Sequence, residues 1–291
     1  MDQAERKAVI ALPIILLIAA LLAYAGSQGS VVAFGMPLFG LCIAIAFLIQ
    51  WIVFIPSFIN KTEAFFDLTG SITYVSVMII AVLLNPSRDI RATLLLLLVS
   101  IWAIRLGSFL FRRIRADGHD GRFDKIKISL PRFFTVWNIQ GIWVSFSAAA
   151  ALAAITSETK LGLDLFAWLG LLVWIIGFGI EVIADEQKRR FRQIKENKGK
   201  FIKTGLWAWS RHPNYFGEIM LWLGIAIIAF PVLSGWQLFT LISPLFITFL
   251  LTRVSGIPLL EARADKKWGG QADYDAYKAN TSVLIPMPPS S

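Results

Sequence analysis

One cysteine and two histidines are all that 291 residues offer as soft metal ligands. Cys42 lies inside an apolar run, so no intrachain disulfide can form. With no CxxC pair and no Cys/His cluster, a zinc or iron–sulfur centre is not expected. Charge is scarce as well: Asp, Glu, Lys and Arg together make up 16% of the chain, against about 25% in a typical soluble domain. A soluble globular surface is thereby excluded. The first apolar run is long and lacks a small-x-small cleavage site, so no cleavable signal peptide is expected. Internal repeats are also missing, which argues against a transporter built from inverted halves.

What the sequence has in abundance is apolar residues, 56% of the chain with a mean hydropathy of +0.66, and eleven Trp and five Tyr suited to membrane interfaces. Apolar runs lie near 8–25, 37–59, 67–84, 92–111, 133–155, 163–184, 215–230 and 236–255. About 20 residues cross a hydrocarbon core, so these runs predict an all-α, polytopic integral membrane bundle of about eight transmembrane helices. Pro231 and Gly235 mark the turn between the last two. The net charge of +9 does not point to nucleic acid as a partner, because its distribution has another cause. With both termini in the cytoplasm, the inner segments hold 24 of the 28 Lys and Arg. Seven lie in 112–132 and nine in 185–214, while the outer loops hold only Arg88, Arg91 and Lys160. That is the positive-inside pattern, with membrane lipids as the surroundings.

An ionisable residue inside a span costs at least ~2.5–3.5 kcal/mol on insertion scales and should face protein, water or ligand. The candidates are Arg105 in span four, Glu181 and Asp185 at the end of span six, Glu218 at the start of span seven, and Asp67 at the start of span three. Glu181 and Asp185 are four apart and share a helix face, which Arg189 and Arg192 continue. Tyr215, Glu218 and Trp222 form a second stripe. The plain alternative is an internal salt bridge from Glu181 or Glu218 to Arg105. The stretch "SRHPNYFGE", 210–218, is denser still. Pro213 suits the first position of a helix, with His212 as its cap. Free N–H groups and the positive helix end favour an anion there. Arg211 adds a bidentate fork, and Asn214 and Tyr215 add donors. Taken alone, this reads as a snorkelling Arg beside a capping His. Beside two loops of seven and nine cations, including Arg113, Arg122 and Arg192, an anionic ligand approached from the cytoplasm is expected. "GFG" at 177–179 lies within a span and reads as close helix packing. Trp137 and Gln140 in span five read as pocket residues or interhelical hydrogen bonding.

"GLWAWSRHPNYFGEIMLWLG", 205–224, resembles a signature shared by membrane reductases of the steroid 5-alpha-reductase type and isoprenylcysteine carboxyl methyltransferases. "FFDLTGSITY" (65–74), "GHDGRFD" (118–124) and "YDAYKANTSVLIPMPP" (274–289) resemble a bacterial branch of the reductases. The resemblance implies NADPH held in a cytoplasm-facing cavity of the C-terminal half of one membrane domain, with 1–111 on the substrate side and 112–291 holding the cofactor. It also implies a place in a bacterial inner membrane. By position it implies cofactor contacts at Asn214, Glu218, Glu181, Asp185, Arg192, Arg105 and Arg253. It departs from the steroid enzymes where a Glu and a Tyr hold the substrate ketone: Phe54 and Trp102 stand near those places. Ile257 and Glu261 stand near a His and a Tyr that the family has beyond Arg253. There is also one span more than the seven usual there. The expected substrate is therefore lipid-like or steroid-like, without the ketone-holding pair of the steroid enzymes.

Enone reduction needs an acid or donor at the carbonyl oxygen where negative charge develops. Asp67 and Tyr74, seven apart on one helix face, are the candidates, with Glu63 a third. Their competing reading is a helix cap and a packed aromatic. A lipid-soluble substrate is expected, since no soluble domain is present to gather a polar one. An S-adenosylmethionine methyltransferase and a non-catalytic lipid-binding protein are the alternatives.

Overall fold

The computed structural model describes residues 1–117 and 120–288, the side chains of 113–117 excepted. Its long helices are α1 (Gln3–Ser27), α2 (Leu38–Ile59), α3 (Phe66–Leu84), α4 (Ile90–Asp117), α5 (Leu130–Ser147), α6 (Ala149–Thr156), α7 (Leu165–Gln193) and α8 (Pro213–Ala229). A 3-10 segment (Gly235–Ile242), α9 (Ser243–Phe249), a π-helical turn (Leu250–Val254), α10 (Ile257–Trp268) and α11 (Ala272–Asn280) follow. Among the described residues, seven helical stretches are long and apolar enough to span a bilayer, and eight if the bent pair α5–α6 is one span. Each of the eight apolar runs in the sequence falls on one of them.

Contacts divide the chain into two units. The first, Met1–Ala167 with Ile228–Ser243, packs α3 on α4, α1 on α5, and α2 on both α3 and α5. Polar side chains along these seams are tied neutrally. Gln50 donates to Thr73 Oγ1 at 2.8 Å, Gln140 to the Phe66 carbonyl at 2.8 Å, and Trp51 to Asn138 at 3.1 Å. Gln140 thus serves as interhelical hydrogen bonding. Trp137 is fully buried with Phe54, Phe123 and Phe133 in an aromatic cluster. Between α5 and α6 the chain bends by 57°. The Ser147 hydroxyl turns back to Trp143 O at 2.6 Å, and the Ser243 hydroxyl takes the Ser147 carbonyl, so the helical ladder is interrupted there.

Two ion pairs close the loops of this unit. Glu63, buried between α2 and α3, accepts from Lys127 Nζ at 2.7 Å and from the Asp120 N–H at 3.0 Å. Burial works to raise its pKa, but those hydrogen bonds outweigh it and hold the carboxyl below its ordinary range. Glu63, named with Asp67 and Tyr74 in the sequence, is thus tied into an ion pair and a backbone hydrogen bond. Arg91, 1% exposed, donates to the carbonyls of Gly162 (2.8 Å), Leu161 (3.4 Å) and Ile228 (2.5 Å), and pairs with Asp164 at 2.9 Å. Asp164 also takes the Ala167 N–H at 2.9 Å and so caps α7. Its pKa falls below the ordinary value because those contacts overcome burial.

The second unit, Trp168–Ile227 with Pro244–Ser291, contains most of α7, α8 and α9 and all of α10 and α11. Here α7 and α8 meet backbone to backbone. A Cβ on Gly177 would lie 2.6 Å from Leu221 N, and one on Gly217 would lie 2.6 Å from Glu181 N. Gly177 thus serves the close packing expected of "GFG", whereas Gly179 faces open space.

Replacing Arg91 by Leu strands three carbonyls and a carboxylate. The expected loss is about 3 kcal/mol or more, the cost of breaking a buried pair. It is read as a lower thermal midpoint in detergent, and Arg88→Leu in the same loop serves as the control with little change.

Candidate cofactor-binding site

Helix α8 begins at Pro213, so His212 holds the cap position that the sequence assigns to it. The approach to it is folded from the end of α7. Gln187 accepts the Leu206 N–H at 3.0 Å, and Trp207 donates to the Ala184 carbonyl at 3.0 Å. The Lys188 ammonium lies 4.2 Å from the centre of the Trp207 ring. From the other side, Tyr277 of α11 donates to the Trp207 carbonyl at 2.7 Å.

Glu261 of α10 organises the mouth. Its Oε1 meets His212 Nε2 at 2.9 Å and its Oε2 meets Arg211 Nη1 at 2.9 Å. Lys278 stands 3.8 Å from Oε2 and bonds Asp265 at 2.6 Å, and Tyr274 donates to Asp265 at 2.9 Å. The His212 ring stacks on Tyr215, with centroids 5.7 Å apart and planes 9° apart. Burial pushes the His212 pKa below the ordinary 6.5, against the raising pull of Glu261. The neutral imidazole therefore donates from Nε2 to Glu261, which leaves Nδ1 as a buried acceptor. Nδ1 and Arg211 Nε have no hydrogen-bond partner among the described residues.

Arg211 and His212 belong to the wall of a cavity of about 300 Å³. Lys188, Arg192, Lys200, Arg263 and Lys267 complete its six cationic side chains, with Glu261 as its one carboxylate. The remaining wall is largely aromatic: Phe191, Phe201, Trp207, Trp268, Tyr274 and Tyr277. Lys267 lies 4.7 Å from the Trp268 ring centre. Such a lining suits an anionic ligand with a flat ring system, the charge meeting phosphate and the rings meeting a base.

Of the residues singled out in the sequence, the cavity brings together Arg192, Arg211 and His212. Asn214 and Tyr215 sit in the first turn of α8, half-buried. Glu218 and Glu181 are buried on either side of the Gly177–Gly217 approach, with Asp185 one turn beyond Glu181. Arg253 is exposed in the π-helical turn, a local irregularity frequent at functional sites. In the first unit, Arg122 is fork-bound to Asp120, and Arg105 lies 5.8 Å from the Phe109 ring. Asp67 lies in the first turn of α3, one residue past its start, and Tyr74 is buried edge-on to Trp102 at 5.1 Å. The side chain of Arg113 lies outside the described residues. Lys188 and the α10–α11 wall are the contributions that sequence reasoning missed, and it named Glu261 only as a departure from the family. For α10 the available signal was one face, Glu261, Asp265 and Trp268, spaced four and three apart in "EARADKKW", which marks a helix face but not what it meets.

A family model described as "Protein of unknown function (DUF1295)" matches residues 53–281, which include every residue of the cavity wall. The chain belongs to this family. Among curated proteins, it is 30% identical over 127 residues to steroid 5-alpha-reductase DET2 of Gossypium hirsutum, 43% of this chain and 44% of that protein. It is 29% identical over 119 residues to 3-oxo-5-alpha-steroid 4-dehydrogenase 1 of Rattus norvegicus, 40% of each chain. An uncharacterized protein of Schizosaccharomyces pombe is 23% identical over 179 residues, 51% of this chain and 52% of that one. The chain is thus steroid 5-alpha-reductase-like, and it spans about half or less of the length of these curated relatives. No solved structure matches it.

A His212 held below its ordinary pKa binds fewer protons folded than unfolded in the acid range. Stability from this group is therefore complete above pH 6.5 and declines as pH falls through 6.5 toward the folded value. Thermal midpoints measured from pH 7.5 to 5.5 should fall more steeply for the wild type than for His212→Asn, which keeps a capping side chain. Equal slopes would assign the acid sensitivity elsewhere.

Proposed function

We propose that this protein is a membrane-embedded, NADPH-dependent reductase of a carbon–carbon double bond conjugated to a carbonyl in a lipid-like substrate. One observation carries the reading: a cavity with six cationic side chains and aromatic walls, built around the "RHPNYFGE" mouth. Its volume stands at the low end for ligand pockets and suits one end of an extended dinucleotide. The phosphate-bearing adenosine end matches that lining, with Arg192, Lys200, Arg263 and Lys267 toward phosphate. Asn214 and Glu218, further along α8, are then the groups for the other end. S-adenosylmethionine brings a positive sulfonium and no phosphate, so six cations favour NADPH over a methyl donor. The names of the reductase relatives point the same way.

NADPH, when bound, supplies a hydride for the carbon beta to the carbonyl. The chain's own tasks are to hold the phosphates, to keep water out, and to stabilise charge on the carbonyl oxygen. For the last we assign Tyr74 and Asp67, the donors that the sequence offers in the first unit. The apolar spans and lipid surroundings fit a substrate that arrives through the bilayer. The positive-inside pattern supports a cofactor cavity open to the cytoplasm, and the resemblance supports a bacterial inner membrane.

Titration of the purified protein in detergent tests the cofactor. NADPH at a hundredfold excess over Kd should stabilise the fold by about 2.7 kcal/mol, with a smaller shift from NADH. A shift with S-adenosylmethionine and none with NADPH would overturn the reading. Glu218 is the sharper probe. Glu218→Gln should fold and bind NADPH yet lose most NADPH oxidation with a lipid enone, and Glu218→Ala should lose the NADPH-induced shift as well. If both variants lose equal stability with and without NADPH and keep their turnover, Glu218 is structural only.

A further inference from the structure

The mouth of α8 is held by a segment far from it in sequence. Residues 282–287 run alongside Trp209–Arg211. The Arg211 N–H donates to Ser282 O at 2.8 Å, the Ser210 hydroxyl to Leu284 O at 2.8 Å, and the Met287 N–H to Trp209 O at 3.0 Å. Ser210 Oγ in turn accepts the His212 N–H at 3.1 Å, so the segment reaches the cap of α8 through one further bond. Pro286 and Pro288 restrict φ on either side of Met287 and favour the extended form.

Exposure along this segment alternates. Ser282, Leu284 and Pro286 are half-buried, while Val283, Ile285 and Met287 are 41%, 58% and 53% exposed. An extended chain sends successive side chains to opposite sides, and here every outward residue from 283 to 287 is apolar. Trp209, hydrogen-bonded to Met287, is itself 48% exposed. The four form an apolar edge immediately before the span Pro213–Val232. A span begins at the boundary of the hydrocarbon core, where Trp and apolar side chains are taken up by the bilayer interface. The family match ends at residue 281, so this segment lies beyond it.

We propose that Ser282–Met287 is a strap seated in the bilayer. Val283, Ile285 and Met287, with Trp209, enter the membrane interface, and the strap's backbone thereby fixes Arg211 and His212 at the cofactor cavity. The partner is the phospholipid interface itself. The link to cofactor capture rests on the NADPH reading, whereas the seating of the strap does not.

The two halves are tested separately in nanodiscs of phosphatidylcholine and phosphatidylglycerol. Ile285→Cys accepts a polarity-sensitive fluorophore, since the single native thiol, Cys42, is buried. Blue-shifted emission, quenched by lipids doxyl-labelled near the headgroup, is expected. Water-like, unquenched emission overturns the seating. V283S/I285S/M287S should bind NADPH about fivefold to tenfold more weakly than wild type, the scale of one lost positioned contact. Wild-type affinity in that variant overturns the coupling. Should the triple variant not fold, Ile285→Ser replaces it in the same titration, read by the same two outcomes. If the wild type itself fails to bind NADPH, the cofactor reading falls, and the fluorophore still decides where the strap lies.

Discussion

Where α7 crosses α8, Gly177 and Gly217 leave no room for even one methyl group: a Cβ on either would come within 2.7 Å of the other's carbonyl oxygen. Lipid tails are as apolar as Leu, so two spans gain nothing by hiding side chains from lipid. They associate where small residues let the backbones touch. That approach fixes the candidate site of the second unit. It sets Glu181 and Glu218 one residue or one turn from the crossing, both buried. It also aims the end of α7, with Lys188 and Arg192, beside the start of α8. The same geometry recurs at Gly224, whose Cβ would lie 2.6 Å from Gly170 O. The crossing is thus held along two turns of helix, and an Ala at either point would force the two backbones apart.

Charge at the mouth is arranged against that rigid base. Six cations around one small cavity repel one another and would be costly without compensation. Glu261 supplies part of it, holding Arg211 and His212 with separate oxygens. Lys188 and Lys267 lie against the faces of Trp207 and Trp268, a second form of compensation that leaves no carboxylate in the ligand's way. Arg192, Lys200 and Arg263 are the further cations of this wall that the proposed phosphate-bearing ligand would meet. An acidic cavity wall would have satisfied the same cations and left nothing for an anion to do.

The spans, their number and the start of α8 were legible because each is written locally. Apolar runs of about 20 residues, Pro213 at a first helical position, and Gly177 inside a run all act over a few residues. The cavity was legible only in part. Arg192, Arg211 and His212 lie near the motif in sequence, but Glu261 reaches them from about 50 residues away by contacts no periodicity reveals. The α10–α11 aromatics carry no charge pattern that distinguishes a cavity wall from a packed surface. Arg91 was counted among a few outer-loop cations by its place in the chain. Its burial among four acceptors depends on the turn after α6 and on the end of α8, which a local reading cannot bring together.

Near the two places that hold the ketone in the steroid reductases this chain resembles, the first unit carries Phe54 and Trp102. Phe54 stands near the position where the steroid reductases that this chain resembles carry a ketone-holding Glu. Here it packs with Phe58, Phe133, Phe134 and Trp137, ring centroids 5.0 to 6.5 Å apart. An aromatic cluster of this kind offers no acid and no room for one. A carboxylate placed there would be buried among rings at a cost of several kcal/mol. Trp102, near the place of the second ketone-holding residue, meets Tyr74 edge-on instead. The phenol thus stands beside the place where the family keeps one, on α3 rather than α4. For the proposed reaction, a donor on the neighbouring helix would keep a hydrogen bond to a carbonyl and change the direction from which that carbonyl is approached. In the proposed reduction, a carbonyl held by Tyr74 would be approached from α3, so that chemistry does not require the Glu and Tyr pair of the steroid enzymes.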